Sequence, residues 1–193
     1  MNIFYLHSNP KTCAEMHLDK HVVKMILEYA QLLSTAHRVL DGNCVTSLSK
    51  AGRKQTRFVL SDMRDNLLYL STHINHPSAK WCRHTSENYK WLHNLFVECM
   101  NEYTYRYGKV HSCDRLKDVL SQLPTNIPIG EFSAPWRAMP DEFKVEGDTI
   151  LSYRNYYVGA KARFAKWTKR NTPDWFTSML HSKSNTGVNH AHL

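Results

Sequence analysis

His17, Lys20, His21, Lys24 and Glu28 follow one another at intervals of one, three or four residues. On a helix such spacings stack side chains on one face, where i,i+3 and i,i+4 neighbours touch. Two imidazoles, two ammonium groups and a carboxylate in one stripe suit phosphate binding, proton transfer near neutral pH, or attack by an amine on a carbonyl carbon. A lysine crowded by other cations is a nucleophile for imine chemistry, so Lys20 and Lys24 are the candidate nucleophiles. Glu28, one turn beyond Lys24, is a general acid or base, or simply that lysine's ion-pair partner. No metal is expected: His17 and His21 have an i,i+4 ligand spacing, but Lys20 and Lys24 repel a cation and HLDKH lacks the glutamate of HExxH. The competing reading is a charged, solvated exterior with incidental histidines.

A second group of residues interleaves rings with cations. Lys80, Trp81, Arg83 and Asn88 form one segment, Tyr105, Arg106 and Lys109 another, and Arg154, Tyr156, Tyr157 and Lys161 a third. Rings give bases a stacking surface and cations contact phosphates, the combination a nucleic-acid groove requires. Trp91 and Phe96, in contrast, read as core.

The elements that must position these groups are mostly helical. Asn2 to Leu6 reads as a short extended segment, and Ser8-Asn9-Pro10 starts a long helix that runs to about Leu40 and stops at Asp41-Gly42-Asn43. Its apolar side comprises Ala14, Leu18, Val22, Met25, Tyr29, Leu32 and Ala36. Asn43 to Lys54 reads as a mobile basic loop, followed by a helix over Thr56 to His73, a third long helix over Ser78 to Tyr107 and a short one near Cys113 to Gln122. The proline-rich stretch from Pro124 to Pro140 is expected to be an ordered loop pinned by Ile127, Phe132, Trp136 and Met139. A last helix starts at Asp148 or Thr149 and continues to about Trp167. The expected architecture is a compact, single-domain helical bundle over 1–180 with two long helices, and a disordered tail over 181–193.

With 25 Lys+Arg against 17 Asp+Glu in 193 residues, the chain carries +8 and a pI near 9.3. Such a balance attracts polyanions at long range, and double-stranded DNA is the expected partner. No apolar stretch reaches the length of a membrane span and no leader segment opens the chain, so a cytoplasmic protein with no membrane partner is expected. Cys13, Cys44, Cys82, Cys99 and Cys113 are odd in number and dispersed, as free thiols would be. P-loop, dinucleotide and nucleophile-elbow motifs are missing, which argues against nucleotide hydrolysis, redox and serine-hydrolase chemistry, and no cofactor is expected.

Together CAEMHLDKHVVKMILEYAQLL, NHPSAKW with ENYKWL, EYTYRYGKVH, MPDEFK and SYRNYY resemble a widespread family of small tailed-phage proteins over about Met1 to Phe176. More distantly the layout is similar to the phage pyrimidine-dimer DNA glycosylases with abasic-site lyase activity. His17-Leu18 matches their His-Leu step, and Tyr156-Tyr157 with Lys161 resembles their aromatic, basic C-terminal patch. The resemblance implies a helical fold that kinks duplex DNA, extrudes a base and cleaves the glycosidic bond through an imine. It also implies a bacterial host cytoplasm. In that family the nucleophile is the amine exposed by removal of the initiator Met and a first-helix glutamate assists it. Here Asn2 at position two disfavours that removal, and Lys20 or Lys24 stands near the expected glutamate with Glu28 further along. Lys20, Lys24 and the N-terminal amine all remain open as the nucleophile. The reading is therefore a glycosylase/lyase-like enzyme acting on damaged or modified bases. The alternatives are a phage DNA base-modifying transferase, distinguishable by nucleoside mass spectrometry of the phage genome, and a non-enzymatic DNA-binding protein.

Overall fold

The structure, a computed structural model, describes the backbone of residues 1–48 and 51–186 and the side chains of these residues through 182. It is mostly α-helical. In chain order the elements are α1 (Pro10–Met16), α2 (Asp19–Asp41), β1 (Asn43–Leu48), β2 (Lys54–Val59), α3 (Arg64–Leu67), α4 (Pro77–Cys82), α5 (Ser86–Tyr107), α6 (Lys117–Ser121), α7 (Thr149–Ala160) and α8 (Asp174–Thr186). Three single turns of 3-10 helix lie at Ser112–Leu116, Asp141–Phe143 and Ala162–Phe164.

The first expected helix is two. Asn9 caps α1 by accepting from the Thr12 amide at 3.0 Å, and Pro10 sits where its missing N–H costs nothing. At His17 and Leu18 the backbone swings to ψ 132° and 158°, and α2 starts afresh at Asp19. Neither glycine nor proline causes this break. Tertiary partners hold the freed backbone groups: the Asp19 amide donates to Lys166 O at 2.8 Å, and the Trp167 indole donates to Met16 O at 2.9 Å. Leu18 is buried at the bend.

α2 packs on α5, α1 on α5, and α4 on α2. The apolar side of α2 read from the sequence is the buried one, with Val22, Met25, Tyr29, Leu32 and Ala36 all at 1 % exposure or less. Trp81, Tyr89, Leu92, Leu95 and Phe96 face it from α4 and α5. Thr85 separates those two helices by capping α5 at the Asn88 amide, and Gly108, at φ 65°, ends α5 in the left-handed conformation.

Asn43–Leu48 and Lys54–Val59, expected to be a loop running into a helix, instead form an antiparallel ribbon, with Asn43 opposite Val59 and Leu48 opposite Lys54. Of the expected Thr56 to His73 helix only α3 is helical. The last helix stops at Ala160 rather than Trp167. α8 carries the chain through Thr186, so the expected tail is helical at its start, while residues 187–193 of it lie outside the described residues. Asn2 to Leu6 is not paired in a sheet; it is buried, with Ile3 and Leu6 at 0 % exposure. Four cysteines are buried and Cys44 is exposed, all as free thiols. Among the described residues no helix is long and apolar enough to cross a membrane.

Candidate active site and nucleic-acid surface

The N-terminal segment is laid across α2 by one side chain. Asn2 donates through Nδ2 to Ala138 O at 2.8 Å, and its Oδ1 accepts from the Tyr153 hydroxyl at 2.8 Å and from the Ile3 amide at 2.9 Å. Tyr153 is buried on α7 and also donates to Trp136 O at 3.1 Å. This clamp fixes the Asn2 amide, which donates to Glu28 Oε2 at 3.2 Å, and brings the Met1 amino group to 4.0 Å from the same oxygen. Lys24 Nζ reaches Glu28 Oε1 at 3.1 Å from the other side. One carboxylate thus stands between two amines. Lys24 is largely exposed, whereas the Glu28 side chain is only 14 % exposed.

Around these groups is a cavity of about 300 Å³, walled by Phe4, His21, Met25, Ala138, Tyr156 and Lys161. That volume is at the lower end of ligand-sized sites. Tyr156 is half-buried, its hydroxyl accepting from Lys161 Nζ at 3.2 Å while the ammonium also lies 4.5 Å from its ring centroid. Phe143 supports Tyr156 from behind, and Gly159 makes room for it, because a Cβ there would stand 2.3 Å from the Phe143 ring. Chemically the arrangement offers a primary amine, a carboxylate that can take its proton, and a half-aromatic chamber with a second cation.

The imidazoles of the stripe are corrected from surface groups to internal ones. The bend at His17 turns its ring inward, to 0 % exposure, with Nδ1 2.7 Å from Cys13 O and Nε2 2.9 Å from the Tyr29 hydroxyl. Burial lowers its pKa to about 4. His21 Nδ1 shares a 2.6 Å hydrogen bond with the Tyr157 hydroxyl, and Phe4 stacks on the ring at 4.1 Å. Burial first, then the charges of His17, Lys161 and Lys24, hold its pKa at about 2. Both rings are neutral at physiological pH and bind no phosphate as cations; His21 forms part of the cavity wall, and His17 is held in the core by Cys13 O and Tyr29. Lys20 is exposed but lies over the Phe164 ring at 4.6 Å, outside the cavity.

The cationic and aromatic segments divide the same way. Trp81, Asn88, Arg106 and Tyr157 are buried and cannot touch a nucleic acid from where they stand. Trp81 donates to Ser133 O at 3.0 Å, and Asn88 accepts from the Ser133 amide at 2.8 Å, so this pair pins the proline-rich loop. Arg106 joins Glu102 at 2.6 Å, Asp19 at 2.8 Å and Glu15 O at 3.0 Å, tying the α1–α2 bend to α5. Arg83 is partly buried, donating to Ile74 O, and Arg154 donates to Leu6 O at 3.0 Å. Lys80, Tyr105 and Lys109 are exposed, with Tyr105 under the Arg170 guanidinium at 4.4 Å. Tyr156 and Lys161 of these segments reach the cavity, and Tyr157 meets the stripe through its hydrogen bond with His21.

Sequence reasoning missed Asn2, Phe4, Tyr153 and His76. The His76 imidazole is half-buried: burial foremost, and next the charges of the Met1 amine and His73, lower its pKa, while Glu28 pulls it up. A short buried segment rich in Ile, Phe, Tyr and Leu was the available signal for the first two; nothing in the sequence connects position 76 or 153 to position 28. Among the described residues no group of three or more His, Cys, Asp or Glu is placed to hold a metal ion. Comparison with family models, with curated proteins and with solved structures finds no match to this chain.

Proposed function

We propose that this chain is a DNA glycosylase/lyase-like enzyme acting on damaged or modified bases in duplex DNA, with Lys24 as the imine-forming amine and Glu28 as its general acid and base. The observation that carries the reading is the single carboxylate held between two amines in a part-aromatic cavity. In this scheme Glu28 takes a proton from Lys24, whose lone pair attacks C1′ of an extruded nucleotide. The C1′–N bond breaks and its electron pair leaves with the base, which is protonated by solvent. Nitrogen then loses its second proton, O4′ leaves C1′ and takes a proton from Glu28, and an imine remains. Loss of a C2′ proton expels the 3′ phosphate, and water hydrolyses the imine to restore the amine. Tyr156 and Lys161 supply a stacking face and a cation for the adjoining phosphate.

The resemblance to phage pyrimidine-dimer glycosylases, and to the wider tailed-phage family, supports the same reading, and we read the protein as acting in the cytoplasm of a bacterial host. We read the body as one helical bundle with two long helices, α2 and α5, of which α2 lines the cavity.

The test is borohydride trapping on duplexes that are UV-irradiated or carry an abasic site. Wild type forms a covalent adduct, Lys24→Ala removes it, and Glu28→Gln slows it by about 10² to 10⁴. Peptide mapping of the adduct separates the amines: a label on the Met1 peptide moves the nucleophile from Lys24 to that amine. No adduct on any lesion refutes the mechanism.

A further inference from the structure

His17 and His21 both meet a tyrosine, yet their hydrogen bonds leave different nitrogens free. The Nδ1 of His17 faces Cys13 O, which only accepts, so that nitrogen carries the hydrogen and Nε2 receives the Tyr29 hydroxyl's. Both nitrogens of this ring are used inside the core.

His21 keeps one in reserve. Its Nδ1 lies 2.6 Å from the hydroxyl of Tyr157, a 0 % exposed side chain whose hydroxyl meets no other acceptor among the described residues. Burial, above all, holds that phenol well above its ordinary pKa, so it keeps its proton. A backbone hydrogen bond from Leu18 acts the other way, as an amide donating to the phenol oxygen does. The Tyr157 proton is therefore donated to Nδ1 of His21. A neutral imidazole that accepts at Nδ1 carries its own hydrogen at Nε2.

That Nε2 has no partner among the described residues and is not sealed from solvent. His21 retains 7 % exposure and forms part of the wall of the Glu28 cavity, so an N–H donor is presented there. The ring is held in place. Phe4 lies nearly parallel to it at 4.1 Å, and Tyr157 meets it edge-on at 5.1 Å. A donor fixed in this way needs no reorganisation when negative charge develops beside it.

Its place on α2 suits one step of the reaction. His21, Lys24 and Glu28 follow at three and four residues on one face, so the amine stands between the donor and the carboxylate, about 4.5 Å of helix axis from one and about 6 Å from the other. When the Lys24 amine attacks C1′, one electron pair leaves with the base and a later one passes to O4′. Glu28 answers the second. The first is still without a protein group to receive its charge.

We propose that His21 is a catalytic residue whose neutral Nε2–H donates a hydrogen bond to the departing base, at the acceptor atom beside its glycosidic nitrogen, and that Tyr157 is the positioning residue that fixes this tautomer. It rests on the glycosylase/lyase reading. As the C1′–N bond breaks, its electron pair moves onto the base; His21 keeps its proton and steadies that charge until solvent protonates the base.

The experiment compares two substrates, a UV-irradiated duplex that retains its lesion bases and a duplex with a preformed abasic site, from which no base departs. Single-turnover borohydride trapping is measured on each. His21→Leu slows trapping on the base-bearing duplex by about 10² to 10³, the cost of one preorganised donor, and slows it far less on the abasic duplex. His21→Gln, whose amide N–H can stand near the place of Nε2, restores part of the rate. Tyr157→Phe frees the ring's hydrogen to move to Nδ1 and slows the base-bearing duplex selectively. Heteronuclear NMR of the histidine nitrogens in the free protein reads the tautomer without any activity, and Nε2 should carry the hydrogen of His21. A hydrogen on Nδ1 in wild type overturns the donor while the glycosylase reading stands. So does equal slowing on both duplexes by His21→Leu and His21→Gln variants that melt as wild type does. A wild type that traps neither duplex rejects the enzyme reading, and this role with it.

Discussion

Acidification is the sharpest test of the buried imidazoles. His17 and His37 have pKa values lowered by burial to about 4, and His21 is held at about 2. Each is hydrogen-bonded to a tyrosine, Tyr29, Tyr89 and Tyr157 respectively, and none can accept a proton in place without losing that fit. In the unfolded chain all three titrate near 6.5. Between pH 6.5 and 4 the unfolded state binds more protons than the folded one, so stability is complete above pH 6.5 and falls as pH falls. From pH 7.5 to 5.0 each imidazole costs about 2 kcal/mol, roughly 6 kcal/mol together, within the 5–15 kcal/mol that ordinary domains possess. The paired carboxylates Asp19, Asp41 and Glu102 are shifted down by their arginine and hydrogen-bond partners, burial opposing. Their contribution begins to be lost only below about pH 5, at the lower edge of this window and beyond. Urea unfolding followed by tryptophan fluorescence at several pH values between 7.5 and 5.0 gives the profile, and His17→Gln should flatten it by about a third. A free energy of unfolding that changes by less than about 1 kcal/mol across this range refutes the assignment of three neutral, buried rings.

Arg106→Met strips the bend between α1 and α2 of its guanidinium and leaves Asp19 to Thr168 and Glu102 to Arg170. The expected loss is about 3 kcal/mol, or roughly 6 to 12 °C in a thermal scan, and a drop under about 2 °C contradicts the role given to Arg106. Tyr153→Phe removes the hydroxyl that holds Asn2 Oδ1. If the clamp sets the distance to Glu28, borohydride trapping slows by about tenfold, equivalent to about 1.4 kcal/mol, with little change in DNA affinity. Gly42→Ala changes no charge but forces the ribbon away from Arg38. Stability should fall by about 1 to 3 kcal/mol in urea unfolding, and an unchanged stability argues that the close approach of Gly42 to Arg38 and Phe58 is not needed.

The residues of α2 were legible because its core and polar sides follow the helical period without interruption, which brought Lys24 and Glu28 together on paper as they are in space. The bend at His17 was not legible. Its partners, Lys166 and Trp167, lie near the other end of the chain, and a periodicity argument applied through residue 17 places that imidazole outside when it is inside. The ribbon was hidden for a different reason. Ser47 and Gly52, with the lysines and arginines around them, read as loop composition, while the strand signal of Val45-Thr46 and Thr56-Arg57-Phe58-Val59 is short and two-sided. In the aromatic segments the types were informative and the exposure was not: Trp81 and Tyr157 carry the same letters whether they stack on a base or fill the interior. The cavity itself needs Asn2, Tyr153 and Ala138 to meet, and pairings over so many residues leave no mark in local sequence.

That closure of the cavity by distant segments has a consequence in time. During synthesis Glu28 and Lys24 emerge early, but Ala138, Tyr153, Tyr156 and Lys161 follow more than a hundred residues later. At about 5 to 20 residues per second the ribosome needs roughly 7 to 27 s to bridge that gap. An incomplete chain therefore carries the reactive groups without the chamber that orients them, and the bend that Lys166 and Trp167 fasten is still unsecured. On the proposed mechanism competence arrives late and all together, so a nascent fragment on the ribosome, surrounded by nucleic acid, would remain chemically silent.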